Sequence, residues 1–540
     1  MAHHRDLRAF LDSLEARGKL YRFREPIDKD RELLPLMRVQ LRGLPDAERK
    51  VLLFEDVRSA TGQRYDMRVV GGVYGLTEEV VALGMGCDSP DDMLERWHLA
   101  LERPLPPKLV ASGPVQEEVH VGDELLSLGL DEIPVPLEDP GFSQVIRTGL
   151  PMITRDPETG ITNVGTYNGF LRDRTRLVAA IGGGHDAMRY HWQAARRRHE
   201  DMPLAIVIGA TPNVMLVGSA PIPYGVDELG VAGAMVGEPL EVVRCKTVPL
   251  EVPAHAEIVI EGLVSTDTLE PRFAFGEYPG YLNVERNNRP VMRVTAITHR
   301  SKALFTPVLV GFPPSDTNAV WGAANAGVLY HRLRYEEQLP VAEVHFPQMG
   351  GGNDFCLLRM QEGSTGCAPE ALKAAARLHN GAKYVIAVDH DVDVRDSELV
   401  IWALSFRVNP ERDLSIQGGR SAGLDPSSGP TGSSKGKMET ADPNREYFQA
   451  LIDATTKGPF PPVALPARPY MERALEIWRR QPGLAEPHPK HPWHGYALGF
   501  WTEEDQRLAD IMVQGDYKAV GRVAAELQVS TDQVIGAPPS

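Results

Sequence analysis

The spacing of apolar residues changes character three times along the chain. Between residues 5 and 17, Leu7, Phe10, Leu11 and Leu14 recur at helical spacing with charges between them. A second helix is predicted over 30–41, then strand-like runs at 51–54 and 67–70, and a helix containing 78–83. The proline-rich stretch 103–107 reads as an exit linker. From about 117 to 325 short strands dominate, among them 204–208, 240–245 and 256–261, and the last alternates inward and outward residues as a half-buried strand should. Glycine and proline turns separate them, which predicts a β-rich, barrel-type domain with a few inserted helices. Beyond 326 the order is helix (370–379), buried strand (384–389) and helix (398–406), the βα organisation of a third, α/β domain. Residues 421–437 form a Gly/Ser/Pro/Lys-rich loop, and 503–527 a polar–apolar helical tail suited to docking on another subunit. The expected division is 1–116, an N-terminal α/β domain; 117–325, the barrel domain; 326–490, a C-terminal α/β domain; and 491–540, the helical tail. The fold class is multidomain α/β (α+β).

Composition narrows the function more than the fold. With 540 residues, 42% hydrophobic and 24% charged, the chain can bury several cores. A formal net charge of -16 argues against nucleic acid as the main partner, which needs a basic surface. The four cysteines, Cys87, Cys245, Cys356 and Cys367, include no C-x-x-C pair and are too scattered for a disulfide framework, so a reducing cytoplasm is expected. The N-terminus is polar and charged, unlike a signal peptide, and no apolar run reaches the roughly 18 residues of a membrane span.

Candidate chemistry concentrates in the middle of the chain. In Phe273-Ala274-Phe275-Gly276-Glu277-Tyr278-Pro279-Gly280-Tyr281 one carboxylate lies between two glycines and among aromatics, where exclusion of water would raise its pKa into the range useful for proton transfer. A solvent-facing turn would look the same. Gly182-Gly183-Gly184-His185 could wrap backbone N–H groups around a phosphate, with the histidine free to ligate a metal, although it is not the dinucleotide fingerprint. Asp227 and Glu228 could bind a hard divalent cation, or simply complement a helix N-terminus. Asn163 and Asn168 lie on one strand-like segment, 162–168, and Lys435 and Lys437 on a Gly/Ser loop that lacks P-loop spacing.

Taken in order, these segments resemble the UbiD family of decarboxylases. The likeness runs from about Val69 to Lys437. It includes Val81-Ala82-Leu83-Gly84-Met85-Gly86, Asn163-x-Gly165-x-Tyr167, Glu241-Val242-Val243-Arg244-Cys245, Leu250-Glu251-Val252-Pro253-Ala254, Ala256-Glu257-Ile258-Val259, and Phe275-Gly276-Glu277-x-x-Gly280-Tyr281. Further matches are Gly311-Phe312-Pro313-Pro314 and Asp389-His390-Asp391-Val392 through Trp402-Ala403. The resemblance implies an N-terminal α/β domain, a central split-barrel domain that binds flavin, and a C-terminal α/β domain used in oligomerisation, in a homodimer or larger homo-oligomer. It also implies a prenylated FMN obtained from a flavin prenyltransferase. The cofactor's phosphate would be held through Mn²⁺ or Mg²⁺ and K⁺, with Asn163, His185 and Glu228 as ligands of the divalent ion and Lys437 as a further cofactor contact. The implied reaction is reversible non-oxidative decarboxylation of an aromatic or heteroaromatic acid, with Glu277 as proton donor.

Two positions depart from the family pattern. The family's catalytic group is an Arg-Glu-Glu/Asp trio whose last acid matches Glu277. Its arginine falls five residues after Asn163, where this chain has Asn168. Its first glutamate falls five residues before Glu277, where this chain has Arg272. Arg272 is therefore expected to supply the missing guanidinium, gripping the substrate carboxylate, with Glu270 as a weaker candidate for the missing acid. Loss of two trio members also raises an alternative: a catalytically weakened, flavin-binding subunit of a carboxylase complex.

Overall fold

The computed structural model describes residues 4–181, 187–284, 286–419, 424–428, 447–530 and 533–534. At its centre is a closed barrel of six strands: Arg147–Arg155, Thr162–Asp173, Arg176–Ala179, Asn288–His299, Ile258–Pro271 and Met202–Ile208, each paired with the next and the last with the first. Closure comes from Ile258–Pro271, which pairs with both Met202–Ile208 and Asn288–His299 and is long enough to bulge twice along the second ladder. The barrel interior is built from the alternate residues of these strands, including Met152, Leu204, Ile206, Ile258, Ile260 and Met292, all within 1% of complete burial.

The N-terminal region is a helix, Leu7–Ala16, that buries Leu7, Phe10, Leu11 and Leu14, packed with a four-stranded sheet. Three of that sheet's strands are Leu20–Asp28, Val51–Arg58 and Arg68–Gly71; the fourth is Leu304–Phe305, which arrives from beyond the barrel. The buried Glu257 carboxylate binds the Arg8 guanidinium at 2.8 Å and the Leu304 N–H at 3.0 Å, so one residue ties the first helix, the barrel and the returning strand together. One hydrophobic core runs through both regions as a result.

The helix Asp316–His331, buried along most of its length, leads into a C-terminal five-stranded sheet in the order Val341–His345, Phe355–Met360, Tyr384–Val388, Phe448–Ala454, Leu414–Gly418. Helices Ala368–Leu378 and Ser397–Arg407 pack on this sheet. The tail holds two short helices, Glu503–Val513 and Tyr517–Glu526. Among the described residues no helix is long and apolar enough to cross a membrane.

Candidate active site

Glu277 sits at the mouth of a hairpin. Phe275 pairs with Asn283 and Gly276 with Leu282, and the turn is closed by the Glu277 N–H to the Tyr281 carbonyl (3.0 Å) and the Gly280 N–H to the Glu277 carbonyl (2.9 Å). Gly280 has φ +89°, a left-handed conformation that a side chain would strain. Gly276 is packed so closely that a Cβ there would collide with the Asp139 carboxylate. The hairpin tip is clamped to the rest of the molecule. The Tyr278 hydroxyl donates to Asp354 (3.1 Å), its carbonyl accepts from Asn318 (3.0 Å), and its ring lies 4.8 Å from that of Trp321. The glutamate side chain, receiving the Asn283 amide at 3.4 Å, opens into a cleft whose walls include Asn168, Met215, Tyr278, Val320 and Trp321. Burial raises its pKa; the guanidinium groups of Arg147 first, and of Arg272 second, pull it back without reversing the shift.

Arg147 is the first residue of a barrel strand. Its neighbour two residues on, Gly149, pairs with Asn168, which brings the arginine to Asn168 across the ladder, where its Nη1 donates to the Asn168 side-chain oxygen. Its Nε donates to Glu138 at 2.7 Å, its Nη2 reaches the Glu138 carboxylate at 2.5 Å and the Gly276 carbonyl at 3.5 Å, and the group stands 5.2 Å from the Phe275 ring. The Glu138 side chain is almost fully enclosed and also accepts the Val310 N–H at 2.6 Å; burial nevertheless pushes its carboxyl up to about 7. Arg272, 4% exposed, also stands 5.2 Å from the same ring. Two guanidinium groups and two carboxyl groups thus meet around Phe275 and Glu277.

A second polar group lies further along the strand Thr162–Asp173. Asn163 and Glu228 are 7% and 9% exposed, and the Glu228 carboxylate accepts the Val164 N–H. One Glu228 oxygen and the Asn163 amide nitrogen are buried without a hydrogen-bond partner among the described residues, and burial pushes the Glu228 carboxyl up to about 7. An acid buried with so little compensation is the donor set a divalent cation requires. Asp227 does not join it: its carboxylate caps the helix Glu228–Val236 by accepting the Leu229 N–H at 3.0 Å. Five residues at strand rise put Asn163 roughly 16 Å from Asn168 along the ladder.

Three family profiles match the chain in order: the N-terminal domain of 3-octaprenyl-4-hydroxybenzoate carboxy-lyase over 11–97, its Rift-related domain over 108–313 and its C-terminal domain over 319–440. The chain belongs to the UbiD family. A relative from Aquifex aeolicus, described only as an uncharacterized protein, is 30% identical over 509 residues, 88% of this chain and 98% of that one. Among solved structures, an evolved dimeric form of the UbiD-class enzyme HmfF from Pelotomaculum thermopropionicum, in complex with prFMN, is 30% identical with a TM-score of 0.71, covering 84% of this chain and 95% of that one. The vanillic acid decarboxylase of Sedimentibacter hydroxybenzoicus, in its closed form, is 25% identical with a TM-score of 0.73, covering 89% and 100%. These are carboxy-lyases, and the three-domain order with a closed barrel is the UbiD architecture.

Within that frame the structure brings together Glu277, Asn168 and Arg272 in one place, and Asn163 and Glu228 in another. His185 and Lys437 lie outside the described residues. Glu270, the weaker candidate for the missing acid, pairs with Arg172 at 3.0 Å and Arg176 at 2.8 Å. Arg147 and Glu138 escaped the sequence reading. They belong to no motif, and only the strand pairing that sets Gly149 opposite Asn168 could have found them.

Proposed function

We propose that this UbiD-family chain catalyses the reversible non-oxidative decarboxylation of an aromatic or heteroaromatic carboxylic acid with prenylated FMN, and that Glu277 is its proton donor. The observation that carries this reading is a carboxyl raised by burial, held on a rigid hairpin in a cleft with two arginines beside it. Asn163 and Glu228, with His185, would hold Mn²⁺ or Mg²⁺ at the cofactor's phosphate end, with K⁺ and Lys437 as further contacts. When bound, the prenylated flavin supplies the electron sink for loss of CO₂.

The chain's own residues do the rest. Tyr278 and Trp321 give a flat ring an apolar wall. Arg272 grips the substrate carboxylate, since a fork of N–H groups matches two carboxylate oxygens. Arg147 pulls the Glu277 carboxyl down without reversing its shift: burial is the larger effect, so the acid keeps its proton to higher pH than a free one. In decarboxylation that proton goes to the carbon the carboxylate leaves; in the reverse direction the Glu277 carboxylate takes it back.

The test is co-expression with a flavin prenyltransferase, followed by absorbance and mass of the bound cofactor, then CO₂ release and H/D exchange over a panel of aromatic acids. Glu277→Gln should retain the flavin and lose exchange by about 10²–10⁴-fold. Modified flavin bound with no exchange on any acid would instead favour the weakened-subunit alternative, and absence of modified flavin would overturn the proposal.

A further inference from the structure

His120 ends the short strand Glu118–His120, which pairs antiparallel with the end of the barrel strand Asn288–His299, Ile297 opposite His120. Opposed residues share a face and so do residues two apart, so His299 stands diagonally beside His120; the rings meet edge to face with centroids 5.0 Å apart. Glu132, the last residue of the turn Gly129–Glu132, folds over both. One of its oxygens lies 2.9 Å from His120 Nδ1 and the other 3.9 Å from His299 Nε2, and one ligand atom from each residue can be chosen so that all lie within 4.8 Å of one another.

The protonation of His299 is the deciding detail. Its Nδ1 lies 2.8 Å from the Arg300 carbonyl oxygen, which can only accept, so Nδ1 carries a proton. In a neutral ring Nε2 then holds a lone pair. It is aimed at a carboxylate oxygen, has no hydrogen-bond partner among the described residues, and belongs to a residue only 9% exposed. Two electron-rich atoms facing each other in a buried gap are relieved by a positive group between them, a second proton on the ring or a metal ion that both atoms ligate.

We propose that His120, Glu132 and His299 form a zinc site, separate from the flavin cleft and independent of the function proposed above. Two imidazoles and a carboxylate are a known zinc donor set, and tetrahedral bonds of about 2.0–2.1 Å place donors about 3.3 Å apart, inside the span seen here. The supporting partners also fit. The Arg300 carbonyl orients His299, and Glu124 on the adjacent helix Gly122–Ser127 lies 4.0 Å from His120 Nε2, ready to orient that ring as Nδ1 binds. The fourth position is left to water. The ion would pin the 129–132 turn to the barrel edge, and the segment leaving that turn carries Glu138 into the active site.

The experiment uses the full chain, stripped with chelator and titrated with Zn²⁺ and with Co²⁺ as a visible-absorbing substitute. Wild type should take up one equivalent beyond that held by Asn163, His185 and Glu228, with the absorption of four-coordinate Co²⁺. Glu132→Gln and His299→Gln should each weaken it by more than the roughly 10–100-fold that loss of an outer-shell partner costs, while Glu228→Gln keeps it. Zinc-edge X-ray absorption on Glu228→Gln, which leaves this site intact, should show two imidazoles. Equal uptake by wild type and Glu132→Gln, or a zinc environment without imidazole, overturns the proposal.

Discussion

Glu277 and Arg147 are coupled through charge, and that coupling can be measured. Burial raises the Glu277 carboxyl, so the acid form persists above the ordinary carboxylate range. As pH rises through the raised pKa the proton is lost, and the decarboxylation rate should fall tenfold per unit on that side. Arg147 is the largest charge pulling this pKa down. Arg147→Met should therefore move the alkaline limb of the pH–rate profile to higher pH, at reduced rate; a limb that stays in place, or moves to lower pH, would disprove the coupling. The same substitution strands Glu138, and removing one partner of a buried ion pair costs about 3–5 kcal/mol, so unfolding should be followed alongside. Glu277 could be picked out from its Gly-flanked aromatic context alone. Arg147 could not: it lies 130 positions before Glu277 in the chain, and its role depends on what the barrel places beside it. Asn168, where the family pattern has an arginine, receives the Arg147 guanidinium; a second cation there would repel it.

Secondary elements were legible wherever the period was long or strong. The first helix, the 204–208 strand and the 384–388 strand came out within a residue or two of expectation, because amphipathic spacing is a local property. The pairings were not legible. Leu304–Phe305 joins the N-terminal sheet across more than two hundred residues, and nothing in so short a strand announces its partner. In the C-terminal sheet, the helix Ser397–Arg407 is fastened by its last residue. Arg407 is 3% exposed, and its guanidinium binds Asp391 at 2.8 and 2.7 Å and Asp389 at 3.1 Å. The Tyr496 hydroxyl also donates to Asp391, at 2.5 Å, which attaches the segment beyond the sheet to the same node. Arg407→Met should cost about 3–5 kcal/mol by leaving two buried carboxylates uncompensated, read as an earlier C-terminal transition in denaturant unfolding; an unchanged midpoint would show that the node is dispensable.

At the scale of the whole molecule, the end of the chain differs from everything before it. No described residue after Thr455 is buried. The helices Glu503–Val513 and Tyr517–Glu526 are amphipathic yet bury no residue in this chain, and Phe500, Tyr517 and Leu527 are 61%, 66% and 73% exposed. Helices this short are marginal alone and draw their stability from an apolar face packed on something else. A second copy of the chain is the expected partner, so light scattering should give a homodimer or larger assembly for the full chain and a smaller mass once 503–527 are deleted; an unchanged mass would remove the tail from the interface. The sequence by itself determined the main helices and strands, the family, and the buried carboxylate picked out at Glu277. All of these rest on local pattern, composition or an ordered series of motifs. Only the tertiary structure decided that Arg147 joins Arg272 beside Glu277, that Asp227 caps a helix while Glu228 faces inward, that Glu270 pairs with Arg172 and Arg176, and that two histidines and a glutamate converge at the barrel edge. Each of those depends on strand register or on a close approach between distant segments, and a linear chain does not display either until it has folded.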